Sequence, residues 1–278
     1  MIIGIVGLGL IGGSIAKAIK ENTEYTVFGF DIAPTVVCKA KLIGAIDGEL
    51  TGEKLKDCDM VIIALYLEAT VAYITENAGL FKKGGIVVDC CGVKRDVCGA
   101  VEQIAEDNGF TFVGGHPMAG IEFSGFEYSK KNLFEKASMI ITPYPGTHIE
   151  VIEKLKKLFL GIGFNNFQIT TPDEHDKMIA FTSQLAHVVS SAYVKSPAAL
   201  NHKGFSAGSY KDMTRVAKLN ENMWTELFLS NRDNLASEID SLVERLKEYS
   251  EALKTGDNAG MTAMLREGRE LKQQLNDE

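Results

Sequence analysis

A histidine directly after a predicted strand is the first residue in this sequence whose position suggests chemistry. Residues 113–120 read VGGHPMAG, which places His116 between a glycine pair and a Pro-Met-Ala-Gly turn. The ordinary pKa of a histidine, about 6.5, suits proton transfer to or from a hydroxyl near neutral pH. His116 is therefore a candidate catalytic residue, although a structural histidine in a loop is an equally simple interpretation of its position.

A glycine-rich turn near the start of the chain has the spacing of a dinucleotide fingerprint. Residues 7–14 read GLGLIGGS, a G-x-G-x-x-G pattern between a predicted strand and a predicted helix, whose N-terminus favours a pyrophosphate. Asp31 ends the next strand about 20 residues further on, where a carboxylate binds ribose hydroxyls and repels a 2′-phosphate. We predict NAD as the cofactor; a tight turn without a ligand is the alternative. The candidate cofactor-binding residues are Gly7, Gly9, Leu10, Ile11, Gly12 and Asp31.

The elements that must position these residues alternate between strand and helix. Short runs rich in Val and Ile, apolar on both faces, are typical of buried parallel strands. Helical patterns such as residues 11–22 and 94–108 lie between them, so the sequence predicts a Rossmann-type doubly wound parallel sheet. The predicted strands are residues 2–7, 25–30, 60–65, 85–90, 110–115, 138–143 and 164–170, with a further helix at 147–160.

The second half of the sequence predicts helices only. Residues 173–194 and 220–253 carry apolar side chains at three- and four-residue spacing, with no strand pattern between them. Thr171 or Asp173 is expected to cap the first of these helices, and the stretch TGDNAG at 255–260 to separate the last two. We therefore predict an NAD-binding domain over residues 1–170 and an all-helical substrate-binding and dimerisation domain over residues 171–278.

Three longer motifs resemble signatures of the prephenate dehydrogenase family, and the resemblance covers essentially the whole chain. They are GGHPMAGIEFSGFEYS at 114–129, DEHDKMIAFTSQLAH at 173–187 and YKDMTRVAKLNENMW at 210–224. The resemblance implies NAD-dependent oxidative decarboxylation of prephenate to 4-hydroxyphenylpyruvate, a step of tyrosine biosynthesis. It also implies that His116 hydrogen-bonds the ring hydroxyl and draws its proton.

The same resemblance implies the substrate-binding residues. Arg215 matches an arginine that binds a substrate carboxylate, and His187 matches a second histidine of the pocket. Glu122, Ser124 and Asp212 match polar positions that line the pocket, where the two acids could pair with Arg215. Trp224, the single tryptophan, matches a position near the pocket. Without the motifs, these residues would be interpreted as surface charges and core side chains.

Two positions depart from the family pattern. Gly92 stands where a serine is common, so a hydroxyl that would contact His116 or the substrate is missing, and we expect Cys91 or a water to replace it. Gln184 stands where many relatives have another histidine. Both changes could shift specificity toward arogenate, the amino analogue of prephenate. Cys90 and Cys91 are interpreted as small buried residues rather than nucleophiles.

Composition limits the possible partners. Of 278 residues, 37 are acidic and 29 basic, giving a formal charge of -8 that disfavours nucleic acid and anionic membranes. The five cysteines form no C-x-x-C pair, and His148, His175 and His202 lack metal-ligand spacing, so we predict no metal and reduced thiols in a cytoplasm. The apolar start is interpreted as mature structure, and we expect no fused chorismate mutase or ACT module. Apolar helical faces indicate a homodimer.

Three other functions remain open from the sequence. Arogenate dehydrogenase shares every motif. A β-hydroxyacid dehydrogenase would need a catalytic lysine early in the helical half, for which Lys177 is the only candidate, and would not account for the motif around His116. A non-catalytic NAD-dependent sensor or scaffold is suggested by Gly92.

Overall fold

Eight strands form one sheet, and the glycine turn and His116 lie at strand ends. The computed structural model describes residues 1–275. The strands lie in the order β3-β2-β1-β4-β5-β6-β7-β8, which reverses direction between β1 and β4. Ligands of open α/β sheets bind outside the carboxyl ends of the strands at such a point. The strands are β1 (Ile2–Val6), β2 (Thr26–Phe30), β3 (Gly48–Glu49), β4 (Met60–Ile63), β5 (Ile86–Asp89), β6 (Thr111–Pro117), β7 (Ser138–Pro143) and β8 (Asn166–Ile169).

The central strands are buried on both faces, as their apolar sequences predict. Every residue of β4 and β5 is buried. Side chains alternate across the sheet, so that Ile62 belongs to the core on one face while Val61 and Ile63 belong to the core on the other. Both faces are therefore covered, which confirms the predicted Rossmann-type architecture.

The far edge of the sheet differs from the all-parallel prediction. β6 pairs with β7 in antiparallel fashion, whereas the other strand pairs are parallel. A parallel neighbour requires a crossover element, usually a helix. Between β6 and β7 the chain forms only a short 3-10 turn, Phe126–Tyr128, so β7 returns alongside β6 in the opposite direction.

Helices cover the sheet, and the elements that follow β8 in the described chain are helices as well. The predicted helices at 11–22, 94–108 and 147–160 are confirmed with small changes in their ends. The helices of the first half are α1 (Leu10–Asn22), α2 (Pro34–Leu42), α3 (Gly52–Leu55), α4 (Leu67–Asn77), α5 (Arg95–Asn108) and α6 (Ile149–Gly161). Those of the second half are α7 (Pro172–Ile179), α8 (Leu185–Tyr193), α9 (Gly208–Thr214), α10 (Glu221–Ser230), α11 (Arg232–Thr255) and α12 (Asn258–Gln274).

The start of α7 is set by its first residues. The Thr171 hydroxyl accepts a hydrogen bond from the Glu174 amide at 3.2 Å, and Pro172 occupies the first helical position. Between α7 and α8 the chain widens into a π-helical segment, Ala180–Gln184. Single-turn π segments are frequent at functional sites because they displace the side chains that follow.

Contacts group the chain into two compact units. The first, Met1–Asn231, contains the sheet and helices α1 to α10, and the second begins at Arg232 and contains α11 and α12. The predicted domain boundary near residue 170 falls between β8 and α7 and stays a prediction. The last three residues of the predicted helical domain, 276–278, lie outside the described residues. Within residues 1–275, no helix has both the length and the apolar character needed to cross a membrane.

Candidate active site

The glycine turn between β1 and α1 has the shape that a dinucleotide needs. Gly7 has a φ of +84°, and a Cβ on Gly12 would lie 1.9 Å from the Gly7 carbonyl oxygen, so both positions require glycine. A Cβ on Gly9 would meet nothing within 4 Å, so the side of the turn that a ligand would approach is open. Leu10 and Ile11 follow as the first residues of α1, where backbone amides point toward an anion.

Asp31 lies beside this turn and is held by two backbone amides. Its carboxylate oxygens accept hydrogen bonds from the Leu8 amide and the Ala33 amide, each at 2.9 Å. The carboxylate is therefore fixed next to the glycine turn at the carboxyl end of β2. The turn, the helix N-terminus and the oriented acid together fit a dinucleotide whose ribose hydroxyls donate to Asp31.

His116 lies near the carboxyl end of β6 and is half-buried. A Cβ built on Gly92 would lie 3.9 Å from His116 Nε2 and 3.4 Å from a methyl carbon of Leu227. Gly92 thus leaves a gap beside the imidazole, bounded on its other side by Leu227 of α10. An imidazole at this strand end can receive a proton from a bound hydroxyl.

The other ring nitrogen of His116 belongs to a buried chain of hydrogen bonds. His116 Nδ1 lies 2.9 Å from His175 Nε2, and His175 Nδ1 lies 2.7 Å from an oxygen of Asp176. Both α7 residues are buried. The carboxylate of Asp176 also accepts the backbone amides of Lys94, at 2.7 Å, and Arg95, at 2.9 Å.

Burial favours neutral imidazoles at both positions. Burial, together with the neighbouring His175 and Lys94, holds the pKa of His116 well below its usual value. The pKa of His175 is also lowered, chiefly by burial, although the hydrogen bond to Asp176 opposes the shift. His116 is therefore a neutral imidazole at neutral pH, with one ring nitrogen able to accept a proton.

A buried ion pair fixes the backbone next to His116. Lys94 and Asp89 are both 0% exposed, and their side chains form a direct ion pair. Lys94 Nζ also donates to the Gly115 carbonyl at 2.7 Å, and Asp89 accepts the Gly115 amide at 2.9 Å and the Cys91 amide at 2.8 Å. The end of β5 and the start of α5 are thus tied to the residue that precedes His116.

A second group of predicted residues surrounds His187 on α8. Its ring lies 4.0 Å from the ring of Trp224, centroid to centroid, and its Nδ1 donates to the Val216 carbonyl at 3.1 Å. Burial lowers the pKa of His187, and the positive charge of Arg215 adds to this effect. The structure therefore brings His187, Trp224 and the backbone next to Arg215 together.

Helices α8 and α10 connect this group to His116. Gln184, one turn before His187, donates to the carbonyl of Leu227, one turn after Trp224, at 3.0 Å. Leu227 in turn borders the gap beside His116. Gln184 is 1% exposed and also accepts from Asn231 at 2.8 Å, so its amide joins the π-helical segment to Leu227 and Asn231.

The remaining predicted residues lie on the surface. Glu122 and Ser124 are exposed in the loop after β6, and Asp212 and Arg215 are exposed on and just after α9. Within residues 1–275, neither acid lies within ion-pair distance of Arg215, so the expected pairing is not observed. The guanidinium is accordingly open to an external carboxylate. Lys177 is also exposed.

The Cys91 thiol, one of the two expected replacements for the missing serine hydroxyl, contacts other groups instead. It is buried and lies 3.4 Å from the Thr70 hydroxyl and 3.8 Å from the Leu65 carbonyl. Burial raises the pKa values of the Cys90 and Cys91 thiols, as expected for inert thiols. Within residues 1–275, no group of three or more His, Cys, Asp or Glu side chains is arranged to hold a metal ion.

Sequence reasoning missed four residues that support His116. We considered His175 only as a metal ligand and Lys94 only as a charge near the cysteines, and we assigned no role to Asp89 or Asp176. One available signal was a pair of opposite charges, Asp89 and Lys94, at the two ends of an otherwise uncharged stretch, and another was adjacent histidine and aspartate at the start of a helix. Charged side chains are rarely fully buried unless they are paired with other groups.

Comparisons with known proteins agree with the fold and with the motifs. The model of the prephenate dehydrogenase nucleotide-binding domain matches residues 15–167, and that of the prephenate dehydrogenase dimerization domain matches residues 171–267. A prephenate dehydrogenase of Bacillus subtilis is 32% identical over 260 residues, which cover 89% of this chain and 69% of the relative.

Solved structures extend the similarity to the whole chain. The prephenate dehydrogenase of A. aeolicus, solved with hydroxyphenyl propionate and NAD+, has a TM-score of 0.87 and 28% identity, covering 99% of this chain and 98% of that one. The Synechocystis arogenate dehydrogenase has a TM-score of 0.85 and 21% identity, covering 99% and 100% of the two chains. At that identity the second comparison shows a shared fold.

Proposed function

The chain belongs to the prephenate dehydrogenase family, and from this premise we propose that it catalyses the NAD-dependent oxidative decarboxylation of prephenate to 4-hydroxyphenylpyruvate. The observation that carries the proposal is the position of the His116 imidazole near the carboxyl end of β6. Its Nδ1 is held by His175, and its Nε2 faces the gap beside Gly92. Five cysteines without a disulfide among the described residues suit a reducing cytoplasm.

His116 acts on the hydroxyl of the substrate ring. The glycine turn and Asp31 would hold NAD, which when bound would supply the acceptor for the hydride that leaves the carbon bearing this hydroxyl. As that carbon gains carbonyl character, His116 Nε2 draws the hydroxyl proton, which offsets the developing positive charge. The bond to the ring carboxylate then breaks, carbon dioxide leaves, and its electron pair enters the ring. The oxygen takes back its proton, and the product is a phenol.

Residues around His187 bind the rest of the substrate. Prephenate carries two carboxylates, and Arg215 offers a planar, permanently charged fork without an internal ion-pair partner among the described residues. His187 contacts the pyruvyl side chain, and Glu122, Ser124 and Asp212 line the approach to the pocket. Trp224 packs on the His187 ring and fixes its orientation.

The steady-state assay is NADH formation at 340 nm with prephenate and arogenate offered separately, each with NAD and with NADP. The proposal expects the highest kcat/KM with prephenate and NAD. It expects little activity with NADP because Asp31 repels a 2′-phosphate. A higher kcat/KM with arogenate would instead identify arogenate, the amino analogue, as the preferred substrate. NAD binding without turnover of either substrate would favour a sensor.

We also propose a homodimer formed through the helical region. Helices α11 and α12 expose several leucines. A large exposed apolar surface of this kind often marks a protein–protein interface. The exposed leucines include Leu246, Leu253, Leu265 and Leu271. Sedimentation as a dimer at micromolar concentration is expected, and a monomer would refute this assembly.

A further inference from the structure

We propose that His175 and Asp176 are positioning residues that fix the tautomer of His116, with the N-terminus of helix α5 as their anchor. This inference rests on the proposed function only in assigning a proton-accepting role to His116. The tautomer itself is a property of the free protein. The arrangement of donors and acceptors along the chain of hydrogen bonds carries the argument.

The carboxylate of Asp176, which is 0% exposed, makes the contact with this anchor. It accepts the backbone amides of Lys94 and Arg95, the residues at which α5 begins, and the Arg95 guanidinium lies 3.5 Å away. Amide groups at a helix N-terminus stabilise a negative charge. Because backbone amides only donate, both carboxylate oxygens of Asp176 act as acceptors in these contacts.

The direction of each following hydrogen bond is then determined. Because Asp176 only accepts, His175 Nδ1 must carry the proton that lies in the 2.7 Å contact. A neutral imidazole has one donor and one acceptor, so His175 Nε2 accepts. The 2.9 Å contact to His116 requires His116 Nδ1 to donate, which leaves the lone pair on His116 Nε2. That nitrogen is the one beside Gly92.

Neighbouring groups hold the two α7 residues in place. Asn231 donates to the Asp176 carbonyl at 2.7 Å, and its side-chain oxygen accepts from Arg95 at 3.1 Å. The charged groups around the imidazoles are Asp176 and Arg95 on one side and the Lys94–Asp89 pair on the other. This shell preserves one orientation of each ring. When His116 takes up a proton, the carboxylate two hydrogen bonds away stabilises the resulting charge.

The test is nitrogen-15 NMR of labelled protein without substrate, in which the ring nitrogens report which of them carries the proton. The chain has five histidines, so single substitutions can assign the signals. We expect wild-type His116 and His175 to be neutral and protonated on Nδ1 at pH 7.5. A wild-type His116 protonated on Nε2 would overturn the proposal, whatever the activity of the enzyme.

Two variants link the tautomer to catalysis. His175→Gln keeps an oxygen that can accept from His116, whereas His175→Leu removes the acceptor. The order of kcat should be wild type, His175→Gln, then His175→Leu, which should fall on the order of 10²-fold or more while KM changes little. His148→Gln, at an exposed position, is the matched control and should have wild-type kcat.

The outcomes separate this inference from the proposed function. An Nδ1-protonated His116 in a protein that turns over neither prephenate nor arogenate would leave the tautomer proposal standing and refute the proposed function. Equal kcat values for the two His175 variants, with turnover intact, would refute the positioning role alone. If His175→Leu loses both kcat and folding, the nitrogen-15 spectrum of the wild-type protein still tests the tautomer, because that measurement requires no substitution.

Discussion

Replacing Lys94 with methionine should destabilise the protein far more than an equivalent change at an exposed lysine. Lys94 is 0% exposed, and its ammonium bonds Asp89 and the Gly115 carbonyl. Burial is the largest single influence on the pKa of Lys94 and lowers it, but Asp89 together with the neighbouring Cys91 and Cys98 raises the pKa above its usual value. Methionine preserves most of the side-chain volume and removes the charge together with the hydrogen bonds to Asp89 and Gly115.

The size of the loss follows from what remains after the substitution. Asp89 stays buried with the amide donors of Gly115 and Cys91 but without a countercharge. Removing one partner of a buried pair costs about 3–5 kcal/mol because the other charge is left uncompensated. The matched control is Lys82→Met, which breaks the pair of Lys82 with Asp59 at 43% and 40% exposure. Exposed pairs contribute about 0–1 kcal/mol.

Urea unfolding followed by circular dichroism measures both variants under the same conditions. The free energy of unfolding is obtained from the midpoint and the slope. A loss of at least about 3 kcal/mol for Lys94→Met, beside a much smaller change for Lys82→Met, is the expected result. Equal small losses in the two variants would show that the buried pair is not a structural requirement beneath His116.

Three further predictions concern the pocket and its pH dependence. Arg215→Ala should raise KM for prephenate steeply with a smaller effect on kcat, because it removes a charge-assisted carboxylate contact. An unchanged KM would show that Arg215 does not bind the substrate. Gly92→Ser should fold normally, since the contacts of its Cβ would all be 3.4 Å or longer. It should change kcat/KM because it places a hydroxyl beside His116. Kinetics identical to those of the wild type would show that the reacting atoms do not lie beside Gly92. The pKa values of His116 and His175 are lowered in the folded protein. The unfolded chain therefore binds more protons than the folded protein below pH about 6.5. The free energy of unfolding should consequently fall as the pH drops through that value. Urea midpoints at pH 7.5 and 5.5 measure this fall, which should persist in His148→Gln and shrink in His175→Gln.

Much of the fold could be predicted from the sequence because buried strands and helices leave strong patterns. The Val- and Ile-rich run at β4 had to be buried on both faces, and the glycine spacing before α1 is typical of a turn that holds a dinucleotide. The direction of β7 could not be predicted, because it depends on the lack of a crossover helix in a loop whose sequence is ambiguous. The two-residue strand β3 is too short to leave a pattern.

The candidate site could be predicted only where one residue identifies itself. His116 follows its strand directly, whereas its partner His175 lies 59 residues further along the chain and reaches it through the packing of α7. The partners of Gln184, which are the Leu227 carbonyl and Asn231, are also more than 40 residues away along the chain. Which face a helical residue presents is decided by tertiary packing, and a single sequence does not contain that information.

The measurement that tests the account most directly is the kcat of His116→Asn with prephenate and NAD, taken together with the affinity of that variant for NAD. The asparagine amide can still donate to His175 from about the position of Nδ1, so the supporting hydrogen bonds survive while Nε2 is lost. We expect kcat to fall by about 10² to 10⁴, equivalent to roughly 2.7–5.4 kcal/mol in the barrier, with NAD affinity unchanged. A variant with wild-type kcat would contradict the assignment of His116 as the residue that receives the hydroxyl proton.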